Sequence, residues 1–173
     1  MRLHFSLNIS KKTVILVLTP VIVLSGLVLY QLLNKPNPIP KNIQAQLSYK
    51  TIYPANTDQI TPNSYKYQVD QKNLVFDVEF SGNKIIFTEQ PAPESLGSTT
   101  QAYYPVLGVH PYAQFQTGLG VVALTKFYHT GSLKPFGESG ILASGGTLLI
   151  AHCEKHMTNE QWKALFESLK ISR

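Results

Sequence analysis

Residues 74–90 read LVFDVEFSGNKIIFTEQ. Leu74, Phe76, Val78 and Phe80 occupy every second position, separated by Val75, Asp77 and Glu79. A period of two puts the apolar row on one face of an extended strand and the charged pair on the other. Ser81, Gly82 and Asn83 supply turn chemistry, and the run KIIFTE from Lys84 to Glu89 returns from it. Together they predict a β-hairpin with one buried face, the nucleus of an antiparallel sheet.

Working outward, Tyr65 to Val69 adds an earlier strand, turned into the hairpin by Asp70 to Asn73. A loop rich in Pro, Ser and Thr follows from Pro91 to Gln101. Two further hairpins are expected, Ala113–Gln116 with Val121–Tyr128 and Gly140–Ala143 with Thr147–His152. Gly118, Gly120, Gly145 and Gly146 mark their turns. The last element is a helix that opens with Thr158 as N-cap and Gln161 at the capping-box position. Its apolar stripe, Trp162, Leu165, Phe166 and Leu169, must be buried against the sheet. The expected class is therefore α+β: an antiparallel β-sheet of hairpins with a C-terminal amphipathic helix packed on one face, preceded by an N-terminal transmembrane helix.

That transmembrane helix is read from residues 13–33, TVILVLTPVIVLSGLVLYQLL, 21 residues without a charge. At 1.5 Å per residue they span about 31 Å, the thickness of a bilayer's hydrocarbon core. Pro20 is tolerated in a membrane helix, and Tyr30 suits the interface. The run is longer than a signal-peptide core, and Val28 to Leu33 offers no small residues at cleavage spacing, so it reads as a retained anchor. Arg2, Lys11 and Lys12 precede it, which places the N-terminus inside and the C-terminal domain outside the cytoplasmic membrane. The expected organisation is a cytoplasmic tail over 1–12, the membrane helix over 13–33, a Pro-rich extended linker over 34–43 and an extracytoplasmic α+β domain over 44–173. The lipid bilayer is thus the one partner named by the sequence.

The formal charge of +5 is mostly a property of the tail. Beyond residue 33 there are 12 basic and 10 acidic side chains, too even a balance for a nucleic-acid footprint. Cys153 is the sole cysteine, so no disulfide can staple the domain.

His152, Cys153 and His156 form the only cluster of metal-binding or catalytic residue types. On a strand, His152 and Cys153 point to opposite faces, and His4, His110 and His129 lie at no telling spacing, so neither a metal nor a cofactor is expected. A sortase-like cysteine transpeptidase or hydrolase is the alternative. TLLIAHC, Thr147 to Cys153, would end in the nucleophile, with His110 as partner. Thr147-Leu148 are nevertheless followed by four residues before the cysteine rather than two, and the sole arginine beyond the tail is Arg173. The cation that would stabilise an oxyanion is thus missing from its strand. Asp77 and Glu79 share a strand face but read as its solvated side. No nucleophile elbow, phosphate loop or dinucleotide fingerprint is present. Tyr49, Tyr53, Tyr65, Tyr67, Tyr103, Tyr104 and Tyr112 read chiefly as large members of a small sheet's core, with a binding surface as the alternative. No catalytic, cofactor-binding or metal residue is expected.

Three stretches, IPKNIQAQLSYKTIYP (Ile39 to Pro54), LVFDVEF with KIIFTEQ, and GGTLLIAHCEKHMTNEQWKALFESLK (Gly145 to Lys170), carry a resemblance. The chain is similar to an uncharacterised bacterial family of single-pass membrane proteins with an extracytoplasmic domain of unknown function. Similar domains end anti-sigma-factor-like and sporulation-associated membrane proteins. The resemblance implies a sensory, binding or envelope-structural module without established catalytic residues, engaging an envelope protein, lipid or glycan. A 12-residue tail is too short to fold around a sigma factor, so this chain departs from that part of the pattern.

Overall fold

The computed structural model describes residues 37–97, 99–128 and 135–172. The tail and the apolar run over 13–33 lie outside these. Among the described residues no helix is long and apolar enough to cross a membrane.

The folded unit begins at Pro38, which corrects the expected linker. Within 34–43, Ile39 and Ile43 are buried, and Lys41–Gln44 makes one turn of helix, α1, started by Pro40. Two isoleucines remove more apolar surface from water by packing on the domain than by remaining in an extended spacer, so the second half of the linker joins the core.

The strands are β1 (Ile52–Pro54), β2 (Lys66–Gln68), β3 (Asn73–Phe80), β4 (Asn83–Pro91), β5 (Ala113–Thr117), β6 (Gly120–Tyr128), β7 (Pro135–Ser144), β8 (Thr147–Cys153) and β9 (Leu169–Ile171). The helices α2 (Tyr104–Leu107) and α3 (Asn159–Glu167) complete the fold. Seven strands form one antiparallel sheet in the order β2-β3-β4-β8-β7-β6-β5. It is two local meanders joined at a single seam, where Ile86–Pro91 of β4 pair with Thr147–His152 of β8. In the expected hairpin over 74–90, Leu74, Phe76 and Val78 are fully buried and Phe80 partly so. Phe80 and Asn83 close its turn, with Ser81 and Gly82 both at positive φ, the pair of conformations that a twisted two-residue loop requires.

Each face of the sheet carries a different cover. One face holds Phe76, Phe87, Leu124 and Leu149 under α1, β1 and α3, in the larger core. On the other face Ile141, Ala143 and Leu148 form a smaller core with the segment carrying Tyr103 and Val109. The helix α3 has the expected capping box between Thr158 and Gln161. Trp162, Leu165 and Phe166 are buried as the stripe requires. Leu169 is buried too, but from a strand. The helix stops at Glu167, and Ser168 returns hydrogen bonds to Ala164 and Leu165. The chain then extends as β9 alongside β1, a two-stranded sheet invisible to local periodicity.

α3 lies close to the sheet because Gly140 has no side chain. A Cβ there would stand 2.3 Å from Cε2 of Phe166. Gly140→Ala should therefore lower stability by about 1–3 kcal/mol, the cost of overpacking a filled core, read as a drop in the midpoint of thermal or urea unfolding.

Beneath β1 lies Glu89, fully buried. Its Oε1 accepts the Ile52 N–H at 2.8 Å and so seats β1 on the sheet. Tyr49 stands close by, donating its hydroxyl to the Glu89 carbonyl at 3.0 Å and accepting from the Leu74 N–H. Burial raises the Glu89 carboxyl well above its ordinary range, more than the Ile52 hydrogen bond can lower it. Burial thus favours the neutral acid in the folded protein. An unfolded chain releases that proton above about pH 4.3. The stability Glu89 contributes is full below that pH and is lost as pH rises toward and through the folded-state pKa. Glu89→Gln keeps an oxygen for Ile52 and has no proton to lose. The melting temperature of Glu89→Gln minus that of the parent should grow steadily from pH 4 to pH 8, and a constant difference would show that Glu89 is not the neutral acid.

Candidate functional site

The end of the sheet where β6 and β8 finish and β7 begins concentrates the polar and aromatic chemistry of the described residues. Alternation along β7 and β8 divides it between the two faces. Glu138 and Cys153, paired in register, lie on the α3 side, while Ser139 and His152, also paired, lie on the other.

On the α3 side Glu138 is 4% exposed. It accepts Nδ1–H of His156 at 2.9 Å and Nε1–H of Trp162 at 3.3 Å, with Lys126 Nζ at 3.9 Å. The Met157 backbone and the Tyr112 side chain also lie close enough to influence its charge. Burial alone would raise this carboxyl, but the bonds from His156 and Trp162 overcome it and hold Glu138 below its ordinary range as a carboxylate. Tyr112, buried on one side and facing that charge, is pushed up to about 12. Glu138 therefore locks β7 to β6 and to the loop entering α3. Cys153 is 1% exposed, and burial pushes its thiol up, away from the reactive thiolate.

On the opposite face Ser139 Oγ and His152 Nδ1 share a hydrogen bond of 3.0 Å. The ring of His152 lies over Gly137, where a Cβ would stand 2.5 Å from its Cε1. Phe127 meets it edge-on with centroids 6.2 Å apart, and Phe136 is at 6.1 Å. Hydrogen bond, backbone and rings together fix the imidazole in one orientation. This ridge joins two clefts. One, of about 320 Å³, is lined by Lys84, Ile86, His152, Glu154 and Lys155. The other, of about 370 Å³, runs from Gly108 to Phe127 by way of His110, Tyr112 and Lys126, with the Lys126 ammonium 4.9 Å above the Tyr112 ring.

The structure separates the residues that sequence reading weighed as a catalytic or metal set. His152 faces the clefts, Cys153 faces the core, and exposed His156 bonds Glu138. His110 lines its own cleft, of which Cys153 is not a wall. His4 and His129 lie outside the described residues. Among the described residues no group of three or more His, Cys, Asp or Glu is placed to hold a metal ion. Asp77 forms an ion pair with Lys84 at 2.8 Å, and Glu79 is solvent-exposed, as befits a solvated strand face. Of the seven tyrosines, Tyr53 and Tyr103 are buried, four are half-buried and Tyr112 is the one exposed, at 43%.

Phe127, Phe136, Gly137 and Glu138 went unmarked in the sequence reading. The signal for the last three is PFGESG (Pro135 to Gly140), a carboxylate inside a run otherwise made of small and apolar residues. No protein-family model, curated protein or solved structure matches the chain, so the site is read on its own geometry.

Because Cys153 is enclosed and its thiol is raised, its labelling by a small maleimide in the native protein should be at least about 100-fold slower than in denaturant, following the opening of the core rather than the thiol's own reactivity. Fast, stoichiometric native labelling would mean that the thiol is accessible.

Proposed function

We propose that this chain is a membrane-anchored, non-enzymatic binding module. Its domain stands outside the cytoplasmic membrane and engages another envelope component, whether protein, lipid or glycan, through the aromatic end of the sheet. The observation that carries this reading is the ridge of Phe127, Phe136 and His152 between two clefts. Tyr112 and Phe136, 43% and 42% exposed, stand at this end, and only Val69 and Val106 are comparably exposed large apolar residues among those described. Aromatic side chains that stay exposed beside fixed polar groups are typical of binding surfaces, since they contribute large contact area at small entropic cost. The non-enzymatic part draws support from the burial of Cys153 and of Ser139, each 1% exposed, because neither offers an accessible nucleophile beside a base. The anchor and its orientation rest on the apolar run over 13–33 and the basic residues before it.

Two arms test the proposal in intact cells. A photo-crosslinking amino acid at position 136 should give a discrete adduct that one at exposed position 69 does not; equal or reversed yields would overturn the assigned surface. For orientation, Cys153→Ala removes the native thiol and Ser95→Cys places one on an exposed turn. A membrane-impermeant maleimide should label that variant without opening the membrane, and protection until the membrane is opened would reverse the topology.

A further inference from the structure

The two edges of the sheet are not equally defended. At one edge β2 has only three residues, begins with Lys66, and leads into a turn with Lys72 at positive φ. Short length, charge and irregular backbone all discourage another strand from adding there. At the other edge β5 is Ala113-Gln114-Phe115-Gln116-Thr117, with neither a charge nor a proline. Among the described residues its outer side has no strand beside it. Thr117 and Gly120 pair across a two-residue loop, and Phe115 and Ala113 follow in register with Val122 and Leu124. In such a hairpin the closing pair and every second pair beyond it exchange hydrogen bonds. Ala113, Phe115 and Thr117 thus turn their backbone groups toward β6, and Gln114 and Gln116 present theirs outward.

The order of residues in β5 decides which strand fits that edge. Around Phe115 the segment is nearly palindromic. A second β5 laid antiparallel about a two-fold axis at Phe115 sets Gln114 opposite Gln116 of the other copy, twice, and Ala113 opposite Thr117, twice. Gln114 and Gln116 are exposed on one face, while Phe115 on the other is half-buried, its ring 6.2 Å from that of Phe166. Pairing in this register keeps each side chain on the face it already occupies, as a slip by one residue would not. The outward N–H and C=O groups of Gln114 and Gln116 then meet their counterparts in four backbone hydrogen bonds.

We infer that β5 is a self-association edge: two copies of this chain pair through Ala113–Thr117, antiparallel and centred on Phe115, into one continuous sheet. Five residues bury less surface than a standard interface, so the association is weak in dilute solution and strengthens where copies are concentrated.

The test uses the full-length chain with Cys153→Ala, in detergent and in native membranes. Gln114→Cys and Gln116→Cys are carried on separately tagged copies. Opposite hydrogen-bonded residues lie about 5.5 Å apart between Cα atoms, within disulfide reach. The mixture should therefore give a disulfide between the two tags. Either variant alone should not, since identical positions are then separated by more than about 7 Å. Charge exchange reads the same register. Q114K/Q116K sets like charges opposite at both pairs and should weaken association in sedimentation equilibrium at least about tenfold, and Q114K/Q116E should restore it. Crosslinking of either variant alone as readily as of the mixture, equal association of the double-lysine form, failure of the charge exchange to restore it, or a monomer at millimolar concentration would each overturn the proposal.

Discussion

The ring of Phe166 rests against the backbone of β7 because position 140 is glycine, and the covered face of the sheet is arranged around that approach. With the helix so close, Trp162 can turn its indole N–H to Glu138. The chain leaving α3 then emerges where β9 can lie beside β1. Core packing is dense enough that a shift of one methyl group at such a contact is felt by every neighbour. Helix seat, carboxylate lock and terminal strand pair therefore belong to one packing arrangement.

Two buried carboxylates serve this arrangement, and their pKa values are shifted in opposite directions. Glu89 meets one backbone N–H and apolar surroundings, and the neutral acid is favoured there. Glu138 is almost as inaccessible to solvent but receives donors from β6, from the loop before α3 and from α3 itself, and it remains a carboxylate. A shallower setting within the protein and a larger number of donors together favour the carboxylate at Glu138. Their pH dependences have opposite sign. Glu89 loses its contribution as pH rises, whereas Glu138, with a lowered folded-state pKa, contributes above the unfolded carboxylate range and loses that contribution as pH falls through the folded value.

The same alternation that buries Cys153 presents His152. One strand end thus yields an enclosed thiol on the core side and an oriented imidazole among aromatic rings on the open side. That division favours recognition over nucleophilic chemistry in the proposed role. It also explains how adjacent residues that look like a reactive pair can have separate fates.

Much of the local architecture was legible in the sequence. The alternation of Leu74, Phe76 and Val78, the turn at Ser81-Gly82, the two glycine-marked hairpins and the Thr158 capping box depend on contacts within a few residues, and each appears where its pattern placed it. The candidate site was scarcely legible: His152 stood out by residue type, but Phe136 and Glu138 gain their roles only from neighbours distant in the chain. Tertiary structure alone decided that β4 joins β8, that residues 38–43 pack on the core, that Leu169 leaves the helix for β9, and that burial raises the Glu89 carboxyl while donors lower that of Glu138. Periodicity records which face of an element is buried, whereas the partner that buries it, and the donors that reach a buried charge, are set by contacts across the whole fold.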